Sequence, residues 1–215
     1  MNAKERIARR IGREFRSGHV VNLGIGLPTL VPRYLPAGID ITLQSENGFL
    51  GLGPLVGEPR PGVVNAGGQP CGLISGAAFF DSAMSFALIR GGHVDITVLG
   101  GLQVDEEGSL ANWMVPGKMV PGMGGAMDLV TGARKVIVAM EHCTRDGEPR
   151  LVERCSLPLT ARARVSMVVT ELAVFTISHG EFVLQELAPD VAVDELRRKT
   201  QARFLVSPDL RAMPL

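Results

Sequence analysis

The sequence predicts an α/β fold with a mainly parallel sheet covered on both faces. Short apolar runs alternate along the chain with amphipathic stretches and turns, the pattern of parallel strands joined by helices. Glycine is 26 of 215 residues, about 12% against an average near 7%, and tight strand-to-helix turns draw on glycine. Hydrophobic residues reach 46% but aromatics only 5%, so the composition is Val/Ile/Leu-rich, as in α/β enzymes. A chain of 215 residues sits at the upper end of one domain, and one domain is expected over residues 1–215. No internal repeat or low-complexity tract interrupts it.

The elements follow in order. Ala3 to Arg16 reads as an amphipathic helix, with Ile7, Ile11 and Phe15 at i, i+4 and i+8 and Asn2 as cap. Lys4, Arg6, Arg9, Arg10, Arg13 and Arg16 cover its other faces, either a basic surface for an anion or a solvated face; the solvated face is expected. Val20 to Leu23 reads as a strand ending in Gly24-Ile25-Gly26-Leu27-Pro28-Thr29, and Thr29 to Tyr34 as the opening of a helix. Ile39 to Gln44 is a second strand, closed by the turn Ser45-Glu46-Asn47-Gly48. Asp81 caps a helix from Ser82 to Arg90, stopped by Gly91-Gly92. Asp95 to Leu99, Lys135 to Met140, Val165 to Thr170 and Leu172 to Ile177 read as strands. Ser178-His179-Gly180 turns the chain into an antiparallel return over Glu181 to Leu187, and Val193 to Ala202 closes with a helix. Two long irregular stretches remain, Phe49 to Ser75 and Gln103 to Gly125, and loops of that length in a compact domain usually serve function.

Charge and cysteine usage exclude several classes. Lys+Arg and Asp+Glu are 22 each, so the formal net charge is zero, which argues against nucleic acid as the main partner. Cys71, Cys143 and Cys155 are odd in number and none are spaced C-x-x-C, so neither a disulfide framework nor a structural metal site is expected. They read as thiols of a reducing cytoplasm. No run of about 18 apolar residues suggests a membrane span. Met1 to Arg6 lacks the apolar core of a signal peptide.

Four places hold residues with chemical potential. Gly24-x-Gly26 after a strand resembles a dinucleotide turn, but Thr29 stands at the third glycine position and Pro28 removes a donor. Glu46 lies in a tight turn at the carboxyl end of a strand, where α/β sheets bind ligands. Either it is solvated charge, or it is a carboxylate held at a ligand-binding edge as base or nucleophile. Gly122, Gly124 and Gly125 around Met123 either form a flexible loop or present backbone N–H groups to a developing negative charge. Glu141-His142-Cys143 follows a strand, but neighbours on a strand point to opposite faces, so His142 and Cys143 make a poor dyad. His19, His93 and His179 read as surface histidines, and Lys118 as a surface lysine or a phosphate partner.

Four blocks together resemble one family. They are Asn22-Leu23-Gly24-Ile25-Gly26-Leu27-Pro28-Thr29, Ser45-Glu46-Asn47-Gly48, Ala111-Asn112-Trp113-Met114-Val115-Pro116-Gly117-Lys118 and Gly122-Met123-Gly124-Gly125-Ala126-Met127-Asp128. In that order they resemble the β subunits of family I CoA-transferases, within them the bacterial group that activates acetoacetate with acetyl-CoA. The likeness runs from about Ala3 to Val206.

The resemblance implies a three-layer α/β/α sandwich. It implies that Glu46 attacks an acyl-CoA thioester, forms a mixed anhydride and then carries CoA as a glutamyl thioester. CoA is thus substrate and covalent intermediate, with no permanently bound cofactor and no metal. Asn22 matches a position beside the nucleophile, and Gly124 or Gly125 the oxyanion turn. The family pairs two homologous halves and this chain matches the second, which implies a separate α subunit, as an α2β2 heterotetramer. One departure stands out: Ile74-Ser75-Gly76-Ala77 occurs where the family often has Leu-Pro-Gly-Ala, which puts loop geometry in question. Three other functions fit parts of the pattern: a thioester hydrolase using Glu46, a sugar-phosphate isomerase on the same fold, and a non-catalytic partner subunit.

Overall fold

The computed structural model describes residues 1–117 and 122–214. Helix α1 (Ala3–Gly12) leads into β1 (Val20–Leu23), a 3-10 helical segment (Leu27–Tyr34), β2 (Thr42–Ser45), β3 (Phe49–Gly53) and β4 (Gly72–Phe79). Helix α2 (Ser82–Arg90) precedes β5 (Ile96–Gly100), β6 (Gln103–Asp105) and β7 (Leu110–Ala111). Helix α3 (Ala126–Gly132) precedes β8 (Lys135–Ala139), β9 (Leu151–Val152), β10 (Met167–Val169), β11 (Ala173–Ser178) and β12 (Glu181–Leu187). Helix α4 (Val193–Arg198) and β13 (Phe204–Ala212) follow.

Ten strands form one sheet in the order β13-β12-β11-β10-β8-β5-β1-β2-β3-β4. Its centre, β10-β8-β5-β1-β2, is parallel throughout. Antiparallel strands flank it: β3 and β4 on one side, β11 and β12 on the other. A small sheet, β7-β6-β9, stands apart.

Two hydrophobic layers cover the central strands. Val21, Val98 and Ile137 pack with Ile7 and Ile11 of α1 and Val31 of the 3-10 segment. On the opposite face Leu99, Val136 and Val138 pack with Ile89 of α2, Leu129 of α3 and Leu196 of α4. Each such buried aliphatic side chain contributes about 1.5–3 kcal/mol. The result is the helix/sheet/helix layering expected from the sequence.

Several boundaries differ from those expected. The apolar stripe is buried as predicted, Ile7 and Ile11 on α1 and Phe15 just beyond its end all at 2% exposure or less, and Asn2 with Glu5 closes a capping box. The helix nevertheless stops at Gly12 rather than Arg16, because the next two amides, Arg13 N and Glu14 N, turn back to Arg10 O and Ile11 O in a tighter turn. Its basic side chains are not all solvated: Arg10 is buried and donates to Glu186 and Glu14, and Lys135 also donates to Glu14. The second strand begins at Thr42, not Ile39, since Ile39 N bonds back to Pro36 O in a turn.

Residues 49–75 are not a loop throughout. They hold β3 and the start of β4, whose glycines mask the strand pattern. Ser75 therefore lies inside a strand, in an exposed stretch of β4, and not in a loop. The stretch 103–125 likewise contains β6 and β7. The last helix ends at Arg198 rather than Ala202, and β13 follows it. Pro208 inside that strand is tolerated because β13 is an edge strand with a register shift between Leu184 and Glu186 of its neighbour.

Candidate active site

Strands β1 and β2 run parallel side by side, with Asn22 opposite Gln44. Side chains two residues apart on a strand share a face. Glu46 therefore leaves the end of β2 on the side already occupied by Gln44 and Asn22. Asn22 Nδ2 donates to Glu46 Oε2 at 3.0 Å, to Gln44 Oε1 at 2.6 Å and, more weakly, to Gln44 O at 3.3 Å. Asn22 is fully buried and Glu46 half-buried, so the carboxylate sits at the boundary between core and cleft.

The other members of Ser45-Glu46-Asn47-Gly48 are scaffold. Ser45 Oγ donates to Asn47 Oδ1 at 2.6 Å and accepts from Ala66 N at 3.1 Å. Asn47 Nδ2 donates to Val64 O at 2.8 Å. Gly48 has φ +126°, and a Cβ there would stand 2.3 Å from Phe80 O. Only glycine fits that turn.

The glycine-rich turn meets Glu46 directly. Gly125 caps α3, and a Cβ on it would lie 3.3 Å from Glu46 Cγ and 3.4 Å from the Phe86 ring. Among the described residues neither the Gly124 nor the Gly125 amide donates a hydrogen bond. A cavity of roughly 730 Å³ opens here, lined by Glu46, Asn112, Trp113, Gly124 and Gly125 among others. Asn112 is held by Gly100 O at 3.1 Å and by the Thr160 hydroxyl at 2.6 Å, and Trp113 Nε1 by Leu159 O at 3.3 Å. All four sequence blocks thus reach one cleft. A carboxylate with one oxygen held by an amide, on the wall of a cavity that Gly124 and Gly125 also line, can act as a nucleophile on an acyl group.

The remaining candidates lie elsewhere. Gly24 N donates to Val98 O at 2.8 Å, and Gly26 opens only a 3-10 segment, so no helix terminus awaits a pyrophosphate. His142 is buried between the hydroxyls of Thr170 (3.1 Å) and Thr200 (2.9 Å) and does not pair with Cys143. Burial, helped by the Lys199 charge, pushes its pKa down to about 4. Burial raises the Cys143 thiol, and burial with Asp105 pushes Cys155 up to about 12, so neither is a ready thiolate. Lys118 lies outside the described residues. Among the described residues no group of three His, Cys, Asp or Glu side chains is placed to hold a metal ion. No helix among them is long and apolar enough to cross a membrane.

Two residues at the site escaped the sequence. Gln44 stands two positions before Glu46 on the same face of the chain, and that spacing was the one signal for it. Ser85, fully buried one helical turn before Ile89 of α2, meets Gln44 Nε2 at 2.9 Å. A polar residue on the buried stripe of a helix was the signal.

Comparison with known proteins gives the family. The family model for coenzyme A transferases matches residues 4–199. The beta subunit of the acetate CoA-transferase of Escherichia coli strain K12 is 67% identical over 210 residues, covering 98% of this chain and 97% of that one. The beta subunit of the acetate CoA-transferase of Haemophilus influenzae is 62% identical, covering 100% and 97%. The crystal structure of an acyl-CoA transferase apoenzyme from Escherichia coli O157:H7 superposes with a TM-score of 0.81 at 23% identity, covering 99% of this chain and 43% of that one. With a family model over nearly its whole length, the chain belongs to the coenzyme A transferase family.

Proposed function

We propose that the chain is the β subunit of an enzyme that moves CoA between a short-chain acyl-CoA, such as acetyl-CoA, and a short-chain or 3-oxo acid, such as acetoacetate. Glu46 is the nucleophile. The observation that carries this is the Glu46 carboxylate, held at 3.0 Å by Asn22 on the wall of the cleft.

The hydrogen bond divides the labour of the two oxygens. Asn22 occupies Oε2, so Oε1 is the one left to attack the thioester carbonyl. The C–S bond breaks, CoA leaves as thiolate, and a mixed anhydride remains on Glu46. The thiolate then adds to the glutamyl carbonyl, placing negative charge on Oε2, where the Asn22 amide already donates. The anhydride C–O bond breaks, and the first acid departs as carboxylate with Oε1. A glutamyl–CoA thioester is left. The acceptor carboxylate reverses both steps and leaves as the new acyl-CoA, restoring Glu46. The Gly124 and Gly125 amides face the oxyanion of the acyl half. Serine or cysteine in place of Glu46 could be acylated but could not carry CoA on its own carbonyl.

We further propose residues 1–215 as one subunit domain that works with a homologous α subunit, as α2β2, in the cytoplasm. The relatives named as beta subunits support a partner, as does the 43% share of the longer acyl-CoA transferase chain that this chain matches. Three unpaired cysteines suit a reducing compartment. The test is Glu46→Ala in the purified complex. Transfer from acetyl-CoA to acetoacetate is expected to vanish with the melting temperature unchanged. More than a few per cent of residual activity would remove Glu46 as nucleophile.

A further inference from the structure

Behind Glu46 the sheet carries a row of buried polar side chains. Gln44, Asn22 and Thr97 lie side by side on β2, β1 and β5, in register and on one face. All are at 3% exposure or less, beneath α2. Polar residues in such a place need partners, since an unmatched buried polar group is costly. Ser85 of α2, itself fully buried, accepts from Gln44 Nε2 at 2.9 Å. That bond turns Gln44 Oε1 toward Asn22, where it takes one Nδ2 hydrogen at 2.6 Å. One Nδ2 hydrogen is then left, and Glu46 Oε2 stands 3.0 Å away to receive it.

The oxygen end of the Asn22 amide has no comparable hold. Asn22 Oδ1 is buried without a partner among the described residues, as is Thr97 Oγ1 beside it. A donor to Oδ1 would fix the amide by itself, and there is none among those residues. Rotating the amide by half a turn would set its oxygen against Gln44 Oε1, Gln44 O and the Glu46 carboxylate. The acceptors on the Gln44 side therefore decide which end faces Glu46, and Gln44 is oriented in turn by Ser85.

We propose that Gln44 and Ser85 are positioning residues that hold the Asn22 amide with its NH2 toward Glu46. This rests on the reading of Glu46 as nucleophile and of Asn22 as the donor to its oxyanion. Neither Gln44 nor Ser85 touches the reacting atoms. Their effect falls on the transition state rather than on substrate capture, so kcat should move and KM should not.

The test uses the complex of this chain with its α subunit. Ser85→Ala and Gln44→Met are expected to lower kcat about tenfold, the effect of one mispositioned hydrogen bond, with KM for both substrates within about twofold. Gln44→Glu, which keeps an acceptor toward Asn22, should retain more kcat than Gln44→Met. The decisive comparison is a double-mutant cycle with Asn22→Ala. If the effect passes through Asn22, adding Ser85→Ala to Asn22→Ala costs nothing further. An equal, additive loss in both backgrounds would mean a packing role only and would overturn the proposal, as would full kcat in Ser85→Ala and Gln44→Met. A Glu46→Ala enzyme that still turns over would instead defeat the underlying nucleophile assignment, a separate outcome.

Discussion

Asn22 Nδ2 lies 3.0 Å from Glu46 Oε2, although 24 residues of chain separate them. The contact exists because β1 and β2 are parallel neighbours in register, which brings both carboxyl ends to the same edge. In α/β sheets that edge is where ligands bind. In the proposed mechanism the contact gives the two carboxylate oxygens different tasks.

Asn22→Ala removes the donor to Glu46 Oε2, which in the proposed mechanism meets the charge that develops there. Loss of one such donor typically lowers kcat by about 10²–10³. The same change leaves Gln44 Oε1 short of a partner, which costs about 1–3 kcal/mol of stability. Steady-state kinetics and a thermal melt separate the two. Unchanged turnover would remove Asn22 from the site.

Gly125→Ala tests the approach of the glycine-rich turn. Gly125 has φ −78°, which alanine adopts without strain. The added methyl meets Glu46 Cγ at 3.3 Å and Phe86 at 3.4 Å, so the carboxylate or the turn must shift by a few tenths of an ångström. At least a tenfold fall in kcat is expected, with little change in melting temperature. Wild-type kcat would show that the turn's distance from Glu46 is unimportant.

Gly48→Ala should behave in the opposite way. At φ +126° with Phe80 O in the path of a Cβ, the turn cannot keep its shape. A loss of about 2–4 kcal/mol is expected, visible in chemical denaturation, with activity falling as the turn distorts. A stable, active variant would contradict the scaffold role given to this glycine.

How far the site was legible depends on what each residue does. Glu46 and the glycines stand in short turns whose chemistry is local, so the residues alone marked them as candidates, whereas Asn22, inside an apolar strand, came only with the resemblance to the family. Gln44 and Ser85 work through contacts across 41 residues of sequence, and one sequence offers no distance between a strand and a helix. The central strands and α2 were legible because their apolar runs have clean boundaries, such as Asp81 and Gly91 around α2. Strands β3, β4 and β13 were not, because glycine and proline inside them carry the signature of loops. The burial of Arg10 was hidden for a similar reason: its partner Glu186 comes from the far end of the chain.

Acid should destabilise the fold through His142. Its pKa is about 4 in the folded chain against an ordinary 6.5. Below about pH 6.5 the unfolded state takes up a proton that the folded state refuses, so stability is full above that value and falls as pH drops toward about 4. The loss amounts to about 3 kcal/mol at most. Urea melts between pH 7 and 4 should show it, and His142→Gln should flatten that limb whatever its stability at pH 7. An unchanged acid limb in the variant would place the dependence on other groups.

The most direct test of the central claim is a mass spectrum of the peptide containing Glu46. The purified complex is given acetoacetyl-CoA without an acceptor acid, quenched and digested. A CoA-sized adduct on Glu46 is predicted. Unmodified Glu46, with the acyl-CoA either intact or hydrolysed to free CoA, would contradict covalent transfer through this residue.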